Sequence, residues 1–153
     1  MVRRADPGDL EPLAQLVAQF RDWMASRASE PTDEQIRATL QKLLADPNTE
    51  FLLALDHDSA PVAFCQLRYR LSVWTGVDDC WLEDLFVAER ARRAGHGRAL
   101  VEAAIDAARS RGCKRIELDV NEHNPEALAL YLACGFEREP KPPGPTFFIG
   151  RKL

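Results

Sequence analysis

The chain has no run of about 18 or more apolar residues, so no segment qualifies as a membrane-spanning helix. Its opening MVRRADPGDLEP has no apolar h-region, and a cytoplasmic location is expected rather than secretion. There is no basic excess: Lys and Arg total 20 against 24 Asp and Glu, a formal net charge of −4. That balance argues against a general nucleic-acid binder. Cysteine is sparse. Cys65, Cys80, Cys113 and Cys134 form no CxxC pair and no Cys/His cluster, so no metal site is expected and the thiols read as reduced and mostly buried. Neither GxGxxG nor GxxxxGK[ST] occurs, which excludes the dinucleotide fingerprint and the P-loop. Internal repeats, linkers and low-complexity tails are absent as well.

What is present is an ordinary globular composition, 46% hydrophobic and 29% charged over 153 residues, enough for one domain with a sizeable core. Val2 to Ala5 suits a short strand, and Asp6-Pro7-Gly8-Asp9 is turn chemistry in which Asp9 can cap a helix. Leu13, Leu16, Val17, Phe20, Trp23 and Met24 recur at helical spacing. Glu30-Pro31 breaks that pattern. Thr32, with Gln35 as capping-box partner, opens a second helix striped by Ile36, Leu40, Leu43 and Leu44, which Asp46-Pro47 stops. Phe51–Leu55 and Val62–Leu71 read as strands around a His57-Asp58-Ser59 turn, and Tyr69 to Gly76 as a strand end plus loop.

The chain is organised around WLEDLFVAERARRAGHGRAL, Trp81 to Leu100. Trp81 to Val87 is a strand, and alternation puts Trp81, Glu83, Leu85 and Val87 on one face and Leu82, Asp84 and Phe86 on the other. A basic turn follows with Arg90, Arg92 and Arg93. Gly95-His96-Gly97 then opens a helix from Arg98, striped by Leu100, Val101, Ala104, Ile105 and Ala108 and closed at Gly112. A strand that delivers a glycine-containing basic turn to a helix N-terminus is an anion-binding arrangement, because the first turn leaves N–H groups free. Ile116, Leu118 and Val120 mark another strand. Asn124 and Pro125 start a short helix whose side is Ala127, Leu128, Tyr131 and Leu132, with Gly135 at its end. Phe136 suits a strand start, Lys141 to Pro145 a rigid loop, and Thr146 to Ile149 a last strand. The order describes one α/β domain with a mixed sheet and helices on its faces, and Trp81 to Val120 a crossover unit.

Four segments resemble the GNAT N-acetyltransferase superfamily: Leu82-Glu83-Asp84-Leu85-Phe86-Val87, Arg92-x-x-Gly95-x-Gly97, Asn121 with Asn124, and Leu130-Tyr131-x-x-x-Gly135-Phe136. The resemblance spans nearly the whole chain and leans toward branches that acetylate small amines. It implies a single N-acetyltransferase domain over residues 1–153, a sheet splayed between its fourth and fifth strands, and acetyl-coenzyme A as substrate. On that model the pantetheine arm pairs with backbone around Leu85, Phe86 and Val87. Backbone N–H groups across Arg93, Ala94, Gly95, His96, Gly97 and Arg98 hold the pyrophosphate. Arg90, Arg92 or Arg93 reaches the phosphates, and Asn124 contacts the pantetheine arm while capping its helix. Bulk at Gly95 or Gly97 is expected to block binding.

The resemblance also implies the chemistry. Tyr131 donates a proton to the departing sulfur, and Glu83 is the first choice of base for the amine, with Asp84 the base if the strand register differs. The acceptor side falls on about Phe20 to Ala38 and Arg70 to Asp79. Trp23, Glu30, Trp74 and Asp84 are the leading lining residues, with Asp33, Glu34, Tyr69, Asp78 and Asp79 as further candidates; acidic and aromatic groups suit a cationic amine. The expected reaction is acetyl transfer to a primary amine of a small cationic molecule by direct attack in a ternary complex. A peptide or protein N-acetyltransferase, and a non-catalytic acyl-coenzyme A-binding regulator, are the alternatives. Relatives of this kind imply a homodimer.

Overall fold

The computed structural model describes residues 1–24 and 31–138. In chain order the elements are β1 (Val2–Arg4), α1 (Leu10–Trp23), α2 (Asp33–Ala45), β2 (Thr49–Leu55), β3 (Pro61–Leu71), β4 (Asp78–Val87), α3 (His96–Ser110), β5 (Ile116–Glu117) and α4 (Pro125–Ala133). Short 3-10 turns occupy Pro7–Asp9 and Glu89–Ala91. No helix of the described residues is long and apolar enough to cross a membrane.

The strands lie in the order β1-β2-β3-β4-β5. The first four pair antiparallel, and β5 runs parallel to β4. Strand β2 is apolar at consecutive positions because, although antiparallel to both neighbours, it has both faces covered. Leu52 and Ala54 join Cys65, Leu67, Leu100, Val101 and Ala104 in a core beneath α3 and α4. Phe51, Leu53 and Leu55 join Leu13, Leu16, Ile36, Leu40, Phe64 and Phe86 in a second core beneath α1 and α2. Cys65 and Cys80 lie fully inside the first core, whereas Cys113 and Cys134 are half-buried.

Local rules set the helix ends. Thr32 and Gln35 form the expected capping box, with Gln35 N–H donating to Thr32 Oγ1 and Thr32 N–H donating to Gln35 Oε1. Helix α3 ends in a Schellman motif: Cys113 N–H donates to the Ala108 carbonyl and Gly112 N–H to the Arg109 carbonyl, with Gly112 left-handed at φ 82°. Helix α4 repeats the device. Phe136 N–H donates to the Tyr131 carbonyl, Gly135 N–H to that of Leu132, and the Phe136 ring packs edge-on against Tyr131.

Several expectations need correction. Asp6, not Asp9, caps the first turn; Asp9 instead accepts both the Asp6 N–H and two hydrogen bonds from Arg3, which hold its carboxyl below the usual range. Trp23 and Met24, at the end of the α1 stripe, are more than half exposed. Helix α3 begins at His96 rather than Arg98, and pairing in β5 stops at Glu117, short of Leu118 and Val120. The inward face of α4 is Ala127, Leu130, Tyr131 and Cys134, while Leu132 is exposed. Phe136 to Arg138 form no strand. The Lys141–Pro145 loop and the Thr146–Ile149 strand lie outside the described residues.

The largest correction concerns β4. Gln66 pairs with Asp84 but Leu67 pairs with Leu82, so Glu83 is the extra residue of a β-bulge. Strict alternation therefore fails there. Leu82 sits in the α3-side core together with Leu85 and Val87, and Phe86 faces α1.

Arg111, just past α3, ties together the end of the sheet opposite the glycine turn. Its guanidinium donates to Asp78 Oδ2, the Pro47 carbonyl and Asn48 Oδ1 at 2.8–3.0 Å, and lies 4.2 Å from the centre of the Tyr69 ring. The planar fork makes these contacts together, which an ammonium cannot. Arg111→Ala is expected to destabilise the fold by about 2 kcal/mol in urea unfolding, after allowance for partial exposure, and Arg111→Lys to recover less than half of that.

Candidate active site

The site grows from the point where β4 loses its parallel neighbour. Strand β5 pairs only at Cys80↔Ile116 and Trp81↔Glu117. Beyond Trp81 the outer edge of β4 runs alone to Val87. The register decides which backbone groups face that gap. Ala88 N–H donates to the Val62 carbonyl, and Ala63 lies opposite Val87. In an antiparallel ladder bonded and non-bonded pairs alternate. Phe86 therefore exchanges its bonds with Phe64, while Leu85 and Val87 turn their N–H and C=O groups outward. The expected stretch Leu85 to Val87 resolves into two gap-facing residues with Phe86 between them, its ring in the opposite core.

The turn after β4 is built to present N–H groups. Gly95 is left-handed at φ 84° and caps α3 without a side chain. The first helical bond runs from Ala99 N–H to the Gly95 carbonyl, so the N–H groups of His96, Gly97 and Arg98 have no partner within the helix. The two glycines are required for different reasons. A Cβ at Gly95 would meet nothing within 4 Å, but its φ suits glycine alone. A Cβ at Gly97 would sit 3.3 Å from Leu130 Cδ2, so this glycine lets α4 close on α3. Arg93 is also left-handed, at φ 64°, and is exposed. Ala94 links it to the glycine.

The arginines divide. Arg98 pairs with Glu102 one turn on, at 2.9 Å, and Arg90 with Asp56 of the β2–β3 turn, at 3.6 Å. Arg92 reaches back: its Nε donates to the Val87 carbonyl at 3.3 Å and its guanidinium lies 5.5 Å from the centre of the Trp23 ring.

Tyr131 is buried on α4 beside these elements, and burial, with smaller contributions from Cys65 and Asp84, pushes its phenol up to about 12. Asp84 is the half-buried carboxylate of the strand. Desolvation raises its pKa, and the neighbouring Glu83 charge adds to the rise. Glu83 itself, thrown out by the bulge, is exposed. Among the described residues neither Asp84 nor the Tyr131 hydroxyl has a hydrogen-bond partner. Asn124 Oδ1 caps α4 through the Ala127 N–H, and Asn121 Oδ1 accepts from His123 N–H. No residue pattern marks the bulge, because an extra strand residue leaves no compositional trace.

The acceptor candidates are not brought together. Trp23 stands at the C-terminal end of β4, through Arg92 and through Phe20, whose ring is 5.3 Å from Phe86. Trp74 is exposed on the β3–β4 loop at the other end of that strand, a span of about 30 Å. Asp78 is paired with Arg111 and Asp79 with Arg115, while the Tyr69 hydroxyl donates to Glu50, so these three serve the sheet end. Asp33 pairs with Arg21. Glu34 is exposed, and Glu30 lies outside the described residues. A shallow groove of about 330 Å³ lined by Ala14, Gln15, Ala18, Gln19, Asp33 and Arg37 belongs to the α1–α2 surface, and no gap-facing residue of β4 lines it.

Comparison with known proteins agrees with this geometry. Residues 16–136 match the model of the acetyltransferase (GNAT) family. An aminoglycoside N(6')-acetyltransferase type 1 of Serratia marcescens is 30% identical over 74% of this chain and 82% of its own. A thialysine N-epsilon-acetyltransferase of Bos taurus is 27% identical over 88% of this chain and 82% of its own. The crystal structure of a probable acetyltransferase superposes over 99% of both chains with a TM-score of 0.86 and 26% identity.

The two glycine roles separate by experiment. Gly97→Val is expected to lower the melting temperature, and Leu130→Ala in the same chain to recover part of the loss by vacating the clash. Gly95→Ala is expected to cost about 1–2 kcal/mol through its backbone, with no recovery from Leu130→Ala. Thermal melts of the four variants and the parent check both.

Proposed function

Because the chain belongs to the acetyltransferase (GNAT) family, and is accordingly an acetyl-coenzyme A-dependent N-acetyltransferase, we propose that its acceptor is a primary amine on a small cationic molecule, attacked directly in a ternary complex. The observation that carries the proposal is the half-buried Asp84 carboxylate, without a partner among the described residues, on the same strand whose Leu85 and Val87 backbone faces the gap. The named activities of the Serratia and bovine relatives, on an aminoglycoside and on thialysine, are amine acetylations and support it.

In this mechanism the gap-facing amide and carbonyl groups of Leu85 and Val87 take the pantetheine arm as an added strand would. The N–H groups of His96, Gly97 and Arg98 take the pyrophosphate, with Arg93 near it, and Asn124 keeps its NH2 for the arm. Asp84 takes a proton from the ammonium, directly or through water. A carboxylate raised by desolvation is better matched to that task than an ordinary one. The freed nitrogen attacks the thioester carbonyl, the N–C bond forms, the C–S bond breaks, and the nitrogen gives its second proton to solvent as the amide forms, while solvent restores the proton that Tyr131 donates. The departing thiolate takes its proton, or a strong hydrogen bond, from Tyr131. A phenol held neutral to about 12 is available as a donor at every pH at which the amine reacts. The bulge favours Asp84 over Glu83 as base, and Glu83 then adds negative potential at the mouth. Trp23 contributes an aromatic face for the cation. We infer a cytoplasmic location, which the four free cysteines support, and a homodimer, which light scattering checks.

Free-thiol release from acetyl-coenzyme A, run against polyamines, aminoglycosides, amino acids and short peptides, tests the acceptor. Release with the small amines, and a product heavier by one acetyl group, is the expected outcome. Release with peptides alone would overturn the small-molecule assignment. Tyr131→Phe is expected to lower kcat on the order of 100-fold with little change in coenzyme A affinity. Asp84→Asn is expected to lower kcat similarly and to flatten the rise of rate with pH, whereas Glu83→Gln keeps that rise. The reverse pattern would make Glu83 the base.

Asp84 also predicts a stability signature. Its folded pKa is raised, so the fold favours the protonated form and loses relative stability as pH climbs through that pKa. Asp84→Asn is therefore expected to melt higher than the parent at neutral pH. The advantage should vanish once the pH falls below about 3.9, the ordinary aspartate value.

A further inference from the structure

The Arg92 side chain holds two contacts that the phosphate-binding assignment does not use. Its Nε donates to the Val87 carbonyl at 3.3 Å, and its guanidinium sits 5.5 Å from the Trp23 ring centre. The first contact occupies one of the gap-facing acceptors left by the parting of β4 and β5. The second joins the cofactor turn to the last residue of α1. Trp23 in turn stacks on Phe20 at 6.1 Å, and Phe20 packs on Phe86 at 5.3 Å. Arg21, two residues before Trp23, is bound to the Pro31 carbonyl and to Asp33 at the start of α2. Arg92 thus touches both the backbone acceptor of the gap and the aromatic end of the helix pair on the opposite face.

We propose that Arg92 is a latch with two positions. Without coenzyme A it rests on the Val87 carbonyl and the Trp23 face; with coenzyme A it leaves both for the phosphates. The proposal rests on the cofactor site proposed above. An amide of the pantetheine arm needs the Val87 carbonyl, and a dianionic pyrophosphate attracts the guanidinium more strongly than a neutral indole does. Binding of the donor then strips the cation from Trp23 and bares its ring for the cationic acceptor. The latch keeps the acceptor face closed while the donor site is empty. It also opposes donor binding by the strength of the cation–π contact, and this gives it a signature that a merely structural residue lacks. Removing a side chain that never touches the cofactor must tighten the cofactor.

Calorimetric titration of coenzyme A into the parent protein, Trp23→Leu, Arg92→Ala and the double variant tests this. Trp23→Leu keeps an apolar side chain against Phe20 but removes the π face, and it is expected to tighten coenzyme A about two- to fivefold. Arg92→Ala is expected to weaken it roughly tenfold, and Trp23→Leu is expected to have no effect in the Arg92→Ala background. In the parent, tryptophan emission should change on saturation with coenzyme A, and that change should be absent in Arg92→Ala. Unchanged or weaker binding by Trp23→Leu, or an emission change that survives in Arg92→Ala, would overturn the latch while leaving the cofactor site standing. Absence of coenzyme A binding by the parent would overturn the cofactor site and the latch with it.

Discussion

Strand β5 holds β4 for only two residues, and the rest of the site depends on that brevity. A strand edge inside a protein must satisfy its N–H and C=O groups or leave them to a partner from outside. Here β4, the neighbour of edge strand β5, is left with such an edge just where it reaches the glycine turn. The edge is short and flanked by helices, which protects it from pairing with another chain. The fold leaves the backbone of this stretch facing outward, and the proposed ligand, which carries amides in an extended arm, would satisfy it by strand addition.

Packing holds the edge open. Helix α4 can approach α3 because the first turn of α3 carries Gly97, where a Cβ would stand 3.3 Å from Leu130. That docking sets Tyr131 in the α3-side core, against which Leu85 and Val87 pack, with Phe136 holding its ring from the far side of a left-handed glycine. On the opposite face Phe20, Phe64 and Phe86 form an aromatic wedge that fixes α1 against the same stretch of β4. The proposed acid, the proposed base and the gap-facing backbone are therefore set by two independent cores that share one strand.

Much of this was legible from residues alone. The capping box at Thr32, the glycine turn, the cap at Asn124 and the Leu130 to Phe136 segment each act locally, and local chemistry is what a sequence displays. The elements and their order followed from periodicity for the same reason. What could not be read were the long-range choices. The bulge at Glu83 depends on how Gln66 and Leu67 pair across the sheet, so it moved Leu82 to the other face and left Glu83 exposed and Asp84 half-buried. The fate of Asp78, Asp79 and Tyr69 depended on Arg111 and Arg115, which lie more than thirty positions away in sequence for Asp78 and Asp79. Acidic and aromatic residues near a loop look alike whether they face a ligand or brace a sheet.

Two buried thiols have a different consequence. Cys65 and Cys80 sit on neighbouring central strands, fully shielded, with burial pushing each up to about 12. As thiolate is the reactive form, both are inert while α3 lies on the sheet. A thiol-directed reagent should modify Cys113 and Cys134 first and then wait for the helix to lift. The delay between the two phases of alkylation measures how often the layer over β3 and β4 opens, so the molecule carries an intrinsic clock for its own breathing.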